Sequence, residues 1–414
     1  MDVQPLDLLL TGGHVIDPAN GIDRPADIGI RDGKIGFVGD TPLISSAVKA
    51  RKQIDVTGCF VTPGLIDMHC HLYPSFPVAE DGLACIHPEA HLFQCGVTTA
   101  MDAGTCGIRD FVTFKEQLID RTKVRVLAMI NIADGGMVNL ESEQRLKDFH
   151  PEAVAGMARS FPETVVGIKT AHYWVGKAFT EEHPPWASVD RTLEAARLCG
   201  LPAMFDFQPT LPERSYQDLV LKKMAPGDIH THMYAQQFPV IDENGKVSSF
   251  LFEARERGVL FDLGHGAGSF WLRNAVPAFE QGFTPDTLST DLYFDNVAGP
   301  VFGLTTIMSK YLNIGMPLQE IVFRTTQRPA QVLHRPELGT LSPGSCADVT
   351  VFSFTEGNYG FADAGRAMMA GSRRIQCEMT VRAGEIVYDL NARSLCPWQE
   401  APEEYWHSPG VIPQ

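Results

Sequence analysis

The residues best suited to chemistry in this chain are imidazoles, carboxylates and one lysine, each at the end of an apolar run. His69 and His71 flank Cys70 after Leu65-Ile66-Asp67-Met68. Residues i and i+2 of a strand face the same side, so these two rings project together. Two imidazoles on one face can chelate a divalent ion, with bonds of ~2.0–2.1 Å to zinc. A pair of half-buried, hydrogen-bonded histidines is the alternative that spacing alone leaves open. Asp67 lies two residues earlier and is expected to hold one of the rings in place. His230 and His232 are also two apart and are expected to share a face, one of them as a ligand. Asp291 ends Leu288-Ser289-Thr290, where it can serve as ligand and general base, or as a helix cap or ion-pair partner. Lys169 follows Val165–Ile168, and an ammonium in so apolar a place must be paired or neutralised. Asp206 lies in Ala203–Phe207, and His265 follows Val259–Leu263.

These groups need a scaffold that brings distant stretches together. Eight strand candidates supply one: Phe60–Asp67, Val97–Asp102, Val124–Asn131, Val165–Lys169, Ala203–Phe207, Asp228–Met233, Val259–Leu263 and Thr287–Asp291. Stretches of helical period lie between them, among them Phe111–Arg121, Ser188–Cys199 and Phe250–Arg257. Strand–helix alternation repeated eight times predicts an α/β fold, a (β/α)8 TIM barrel, with an open doubly wound sheet as the alternative. In such a barrel, chemistry gathers at the C-terminal ends of the strands, where these polar residues stand.

The two chain ends have a different texture. Leu6–Leu10, Asp27–Ile30, Lys34–Val38 and Gln53–Val56 are short strand-like runs, and Asp32-Gly33 is a two-residue hairpin signal. Similar runs return at Asp348–Phe352, Met379–Val381 and Glu385–Tyr388. Neither end has strands enough for a core, so they are expected to join in one small β-sandwich. The domains expected are residues 1–58 as the first part of the sandwich, 59–338 as the barrel and 339–390 as the second part. Residues 391–414 form a C-terminal tail that wraps a surface or a neighbouring subunit.

Composition narrows the function further. Thirty-four Lys and Arg against fifty Asp and Glu give a net charge of −16 over 414 residues. A field of that sign repels phosphate backbones and anionic lipid, so neither nucleic acid nor membrane is expected as a partner. No apolar run is long enough to span a bilayer, and the first residues lack the pattern of a secretion signal. Nine cysteines without a CxxC pair predict free thiols in a reducing cytoplasm. Neither a Gly-x-Ser-x-Gly elbow nor a phosphate-binding glycine loop is present.

Four segments carry a family resemblance. Thr62–His71 resembles the first metal strand of the amidohydrolase superfamily. Gly96–Thr105 resembles the second strand of its dihydroorotase-like amidohydrolase/deacetylase branch, and Gly299–Lys310 is similar to that branch's segment after strand eight. Gly339-Thr340-Leu341, with Gly344 and Ala347-Asp348-Val349, resembles the return to the small β-domain. The match runs from Leu8 to about Tyr388.

The resemblance implies metal ligands at His69, His71, Lys169, Asp206, His232 and Asp291. Lys169 would be carboxylated by CO2 to bridge two ions. Asp206 stands where the branch usually has a histidine, so one metal or two is left open. Asp291 would be the catalytic proton carrier, with His265 and His172 as substrate-binding residues. The cofactor implied is zinc, as one or two divalent ions, with Mn, Fe or Co as alternatives. Two cations ~3.5–4 Å apart would activate water at neutral pH. The expected activity is hydrolysis of an amide or ester bond, by deacetylation of a small N-acyl amino acid or O-acyl hydroxy acid. A cyclic-amide hydrolase and a non-catalytic barrel paralogue are the rivals. A small-molecule substrate and a homo-oligomer are expected, with specificity in the loops Tyr73–Ile86, His172–Trp186 and Phe238–Lys246.

Overall fold

The computed structural model describes residues 5–40, 49–74 and 85–406. Residues 75–84 of the expected loop Tyr73–Ile86 and residues 407–414 of the tail lie outside the described residues. The N-terminal end supplies β1 (Leu6–Asp17), β2 (Ile22–Arg31), β3 (Lys34–Gly39), β4 (Ala50–Asp55) and β5 (Phe60–Pro63). Asp32 and Gly33, both at positive φ, turn β2 into β3 as the hairpin signal predicts.

The middle of the chain supplies seven parallel strands. They are β6 (Leu65–Cys70), β7 (Val97–Ala103), β8 (Arg125–Asn131), β9 (Val165–Thr170), β10 (Ala203–Phe205), β11 (Ile229–His230) and β12 (Leu260–Phe261). They stand side by side in sequence order. The expected eighth strand, Thr287–Asp291, is joined by single bridges, Thr287 to Asp262 beyond β12 and Leu292 to Cys70 on β6. Backbone bonds on both sides hold it there: Leu263 N–H donates to Thr287 C=O, and Asp291 N–H donates to His69 C=O.

Both faces of the parallel strands are buried, as a parallel sheet requires. Ile66, Met68, Met101, Leu127, Met129 and Met204 share one apolar cluster. Leu65, Ala100, Ala128, Ile130, Ile168 and Phe205 belong to another, which includes the helices. Among these helices are α1 (Pro151–Ser160), α2 (Ala187–Cys199), α3 (Ser249–Glu256), α4 (Leu272–Glu280) and α5 (Leu304–Ile314). On α2 the buried residues Val189, Thr192, Leu193 and Ala196 recur at helical spacing, the pattern that the sequence shows.

The C-terminal end adds β13 (Val349–Ala362), β14 (Met368–Arg382) and β15 (Glu385–Asp389). All eight end strands join in one mixed sheet, ordered β15-β14-β13-β5-β1-β2-β3, with β4 against β1. The two chain ends thus join, as one mixed sheet where a small β-sandwich was expected. One expectation is corrected. The run Phe60–Asp67 is not one strand: Phe60–Pro63 pairs with β1 and β13 in the end sheet, and only Leu65 onward enters the parallel sheet. Gly64 N–H donates to Asp348 C=O and Leu65 N–H to Gly96 C=O, so the change of sheet falls between adjacent residues. Both halves are apolar and buried, which hides the break from the sequence. Asp348, bonded to Arg125 of β8 and Arg382 of β14, ties the two sheets together through a buried ion cluster. No helix among the described residues is long and apolar enough to cross a membrane.

Candidate metal centre

The parallel strands deliver His69, Lys169, Asp206, His232 and Asp291 to one end of their sheet. These residues and His71 line a common cavity of about 220 Å³. Met137, His172, Tyr293 and the stretch Ala267–Ser269 complete its wall.

One ligand atom from each of His69, His71 and Asp291 lies within 4.8 Å of the others. Nε2 of His71 is 3.0 Å from Asp291 Oδ1, and Nε2 of His69 is 3.4 Å from the same oxygen. The opposite nitrogens are held by hydroxyls. Thr105 Oγ1 is 2.6 Å from His71 Nδ1, and Thr231 Oγ1 is 2.9 Å from His69 Nδ1. Thr231 donates its own proton to Asp262, at 2.8 Å, so it accepts from His69. That leaves Nε2 of His69 as a bare lone pair, buried and without a hydrogen-bond partner. Burial, with Lys169 and His232 nearby, keeps this ring well below the usual imidazole pKa. A neutral imidazole with a free nitrogen is the form that binds a cation, so the donor set fits a divalent metal.

Asp67 does not hold a ring, contrary to expectation. It accepts from the Thr290 hydroxyl and from the backbone N–H groups of Thr290 and His69. Burial pushes its carboxyl up to about 7. It fixes the backbone on which His69 and Asp291 sit, while Thr231 and Asp262 orient the ring.

Asp206, Lys169 and His232 occupy the rest of the centre. His232 Nε2 is 3.8 Å from Asp206 Oδ2, and its Nδ1 is 2.7 Å from Gly264 C=O. Burial opposes ionisation of Asp206, but His232, His172 and Lys169 outweigh it and hold the carboxyl below the usual range. Lys169 is 1% exposed, and its Nζ faces Met204 Sδ at 3.6 Å. Burial lowers its pKa against the pull of Asp206 and Asp291. Its place depends on Gly104, where a Cβ would stand 2.5 Å from the Lys169 Cβ.

His230 and His232 do not share a face. β11 ends at His230, and His232 takes φ 61°, which turns its ring back to the cavity. His230 points into the helix layer, against Tyr216, Phe238 and Phe261, with burial lowering its pKa to about 3. His265 is not among the residues that line the cavity. Its ring lies outside the cavity, fully buried, 2.6 Å from Lys310 Nζ and stacked on Phe270. The backbone beside it, Ala267–Ser269, forms the wall instead.

His172 does line the cavity. Its Nδ1 is 2.9 Å from Glu143 Oε2, and Nε2 is 4.0 Å from Asp206 Oδ2. Burial opposes its protonation, but the Glu143 carboxylate outweighs that and raises its pKa. Glu143, Thr105, Thr231, Asp262 and Tyr293 escaped the sequence reading. Thr105 closes the Gly96–Thr105 motif, Thr231 separates the two histidines, and Asp262 precedes Leu263-Gly264-His265. Those three carried a positional signal, whereas Glu143 lies on an irregular segment with none.

No family model matches the chain. A deacetylase of Enterococcus faecalis (strain ATCC 700802 / V583) is 29% identical over 400 residues, covering 92% of this chain and 99% of that protein. A deacetylase of Agrobacterium fabrum (strain C58 / ATCC 33970) is 31% identical over 364 residues, covering 83% of each. The chain belongs to the dihydroorotase-like amidohydrolases. This amidohydrolase also matches a crystal structure of an adenine deaminase with a TM-score of 0.82 at 28% identity, covering 93% of this chain and 100% of that one. A dihydroorotase structure follows with a TM-score of 0.77 at 26% identity, over 92% and 99%. The amidohydrolase is accordingly a metal-dependent enzyme acting on a small molecule.

Proposed function

We propose that this amidohydrolase is a zinc-dependent deacylase that removes an acyl group, acetyl foremost, from a small N-acyl amino acid or O-acyl hydroxy acid. The observation that carries the reading is the convergence of the Nε2 atoms of His69, which has no hydrogen-bond partner, and His71 on Asp291. The full-length relatives named deacetylase supply the acyl-group choice. In this reading the eight parallel segments close as a (β/α)8 barrel and the end strands form a separate β-domain. His69, His71 and Asp291 would hold one ion, and Lys169, once carboxylated, would hold a second with Asp206 and His232. The enzyme is cytoplasmic and homo-oligomeric in the same reading, in keeping with nine free cysteines.

When bound, the ions supply Lewis acidity toward the scissile carbonyl and make water acidic enough to ionise near neutral pH. Asp291 takes the proton from the attacking water and delivers it to the leaving amine or alkoxide. Thr105 and Thr231 keep the imidazoles in the tautomer that leaves Nε2 open. Carboxylation of Lys169 would proceed by attack of its neutral amine on CO2, with the proton released as the carbamate forms; burial favours that neutral form while Asp206 opposes it. His172 donates from Nε2 to the substrate while Glu143 balances its charge.

Substitution of His69 or Asp291 by Ala should abolish metal-dependent turnover of N-acetyl amino acids, and unchanged turnover would refute the reading. The likeness to dihydroorotase supports a second reading, hydrolysis of a cyclic amide. A panel of acetylated acids against cyclic ureides separates the two.

A further inference from the structure

Every hydrogen-bonding atom of the Arg214 side chain is buried without a partner. The residue is 0% exposed, and Nε, Nη1 and Nη2 all lack an acceptor. Among the described residues no carboxylate forms an ion pair with it, whereas the half-buried Arg125 pairs with Asp348 and the half-buried Arg255 with Asp286. Aromatic rings surround the guanidinium instead. Its central carbon lies 4.2 Å from the Phe207 ring centroid, 5.5 Å from Trp174 and 5.6 Å from Phe179. Cation–π contacts of this kind contribute about 0.5–2 kcal/mol each. They leave a planar fork of five N–H groups with nothing to donate to, and an unpaired buried charge costs several kcal/mol.

The site is built to hold that side chain in place. Thr210 and Arg214 exchange backbone bonds at 2.8 and 2.6 Å, which pins the residue at the base of a short loop. Trp186 stacks on Phe207 and donates its indole N–H to Glu213 C=O. The rings around the guanidinium adjoin residues of the metal cavity. Phe207 directly follows Asp206, and Trp174 packs edge-on to His172 at 5.9 Å; Asp206 and His172 both line the cavity. The Trp174 and Phe179 rings are themselves only half-buried.

The proposed substrate carries a carboxylate, and the cavity wall offers it no spare cation. In the proposed reading His69, His71, His232 and Lys169 would hold the ions, and His172 Nδ1 is taken by Glu143 Oε2 at 2.9 Å. We propose that Arg214 is the carboxylate-recognition residue of this enzyme, its guanidinium pairing with the acid group of the substrate on the Trp174 side of the cavity. This rests on the deacylase reading for the identity of the ligand. A planar guanidinium matches a carboxylate with two parallel N–H···O bonds, which an ammonium cannot reproduce.

The test compares N-acetylalanine and N-acetylphenylalanine, both enantiomers, with their carboxamides, on wild-type enzyme, Arg214→Met and Arg214→Lys. Wild type should favour the acid over its amide in kcat/KM by roughly 10–100-fold, the worth of a charge-assisted pair. Arg214→Met should erase that preference, with the loss falling on KM for the acid. Arg214→Lys should recover only part of it. An acid-to-amide ratio unchanged in Arg214→Met overturns the proposal. A second readout does not need turnover: quenching of tryptophan fluorescence by the same acids in metal-free His69→Ala protein. Quenching that disappears when Arg214→Met or Arg214→Lys is added supports the site even where no acyl compound is hydrolysed, an outcome that would sink the deacylase reading alone. Equal quenching by inorganic phosphate would mean a general anion site and overturn the substrate assignment.

Discussion

The Thr105 hydroxyl stands 2.6 Å from Nδ1 of His71 and so turns Nε2 of that ring toward Asp291. Thr231 does the same for His69. Partners of this kind are commonly worth 10–100-fold in metal affinity. Thr105→Val and Thr231→Val should each weaken zinc binding by about that factor, measured by competition with a chromophoric chelator. Each substitution also strips a buried imidazole nitrogen of its partner, so the metal-free protein should lose about 1–3 kcal/mol of stability beside the loss of zinc affinity.

Gly266 permits Asp291 to reach its position. A Cβ at Gly266 would lie 2.5 Å from Asp291 Oδ2, and the residue has φ +55°. Gly266→Ala should therefore displace the carboxylate and strain the backbone by ~1–3 kcal/mol. Turnover should fall at least about 100-fold, as displacement of a catalytic group by an ångström can cost that much. Zinc content by atomic emission should fall with it, while the fold persists by circular dichroism.

Lys169 should require CO2. Metal-free enzyme prepared without CO2 and reloaded with zinc should gain activity as bicarbonate is added. Carbon-13-labelled bicarbonate should give a carbamate signal that is lost in Lys169→Arg. Full activity without bicarbonate in the wild type would exclude the carbamate.

Lys310 predicts a pH dependence of stability. Its Nζ donates to His265 Nε2 and to the carbonyls of Pro300 and Ala362, and burial lowers its pKa to about 7, with Asp363 opposing. The unfolded lysine titrates near its ordinary value of about 10.4. Between these limits the unfolded chain binds more protons than the folded one, so stability rises with pH. Below about 7 both states are protonated and the dependence from this residue vanishes. The unfolding midpoint should climb from pH 7 to pH 10 in wild type, and Lys310→Met should flatten that climb. Lys310→Met should also cost about 1–3 kcal/mol by leaving three buried acceptors unpaired.

What could be read from the sequence was whatever obeyed a simple period. His69 and His71 were legible because alternation along a strand puts them on one side. Lys169 stood out because an ammonium rarely ends so apolar a run. His232 escapes the rule that served His69, since a left-handed residue after β11 breaks the alternation with His230. Phe60–Asp67 reads as one strand because both of its sheets bury it. The hairpin β13–β14 extends far past the apolar runs that announced it, to Ala362 and Met368, because its distal part is largely exposed and carries polar residues. Glu143 and Arg214 lie on irregular backbone, where no spacing says which way a side chain faces.

The passage from Phe60–Pro63 into Leu65–Cys70 without a linker has a consequence for biogenesis. During synthesis, His69 and His71 leave the ribosome early. Their strand is anchored where Leu65 N–H meets the Thr350 hydroxyl, 285 residues later. A nascent chain halted before Val349 already carries β7 and Asp291 on either side of that strand but lacks the bond that Thr350 gives its first residue. The C-terminal hairpin is thus a clasp on the root of the strand whose far end bears the metal donors.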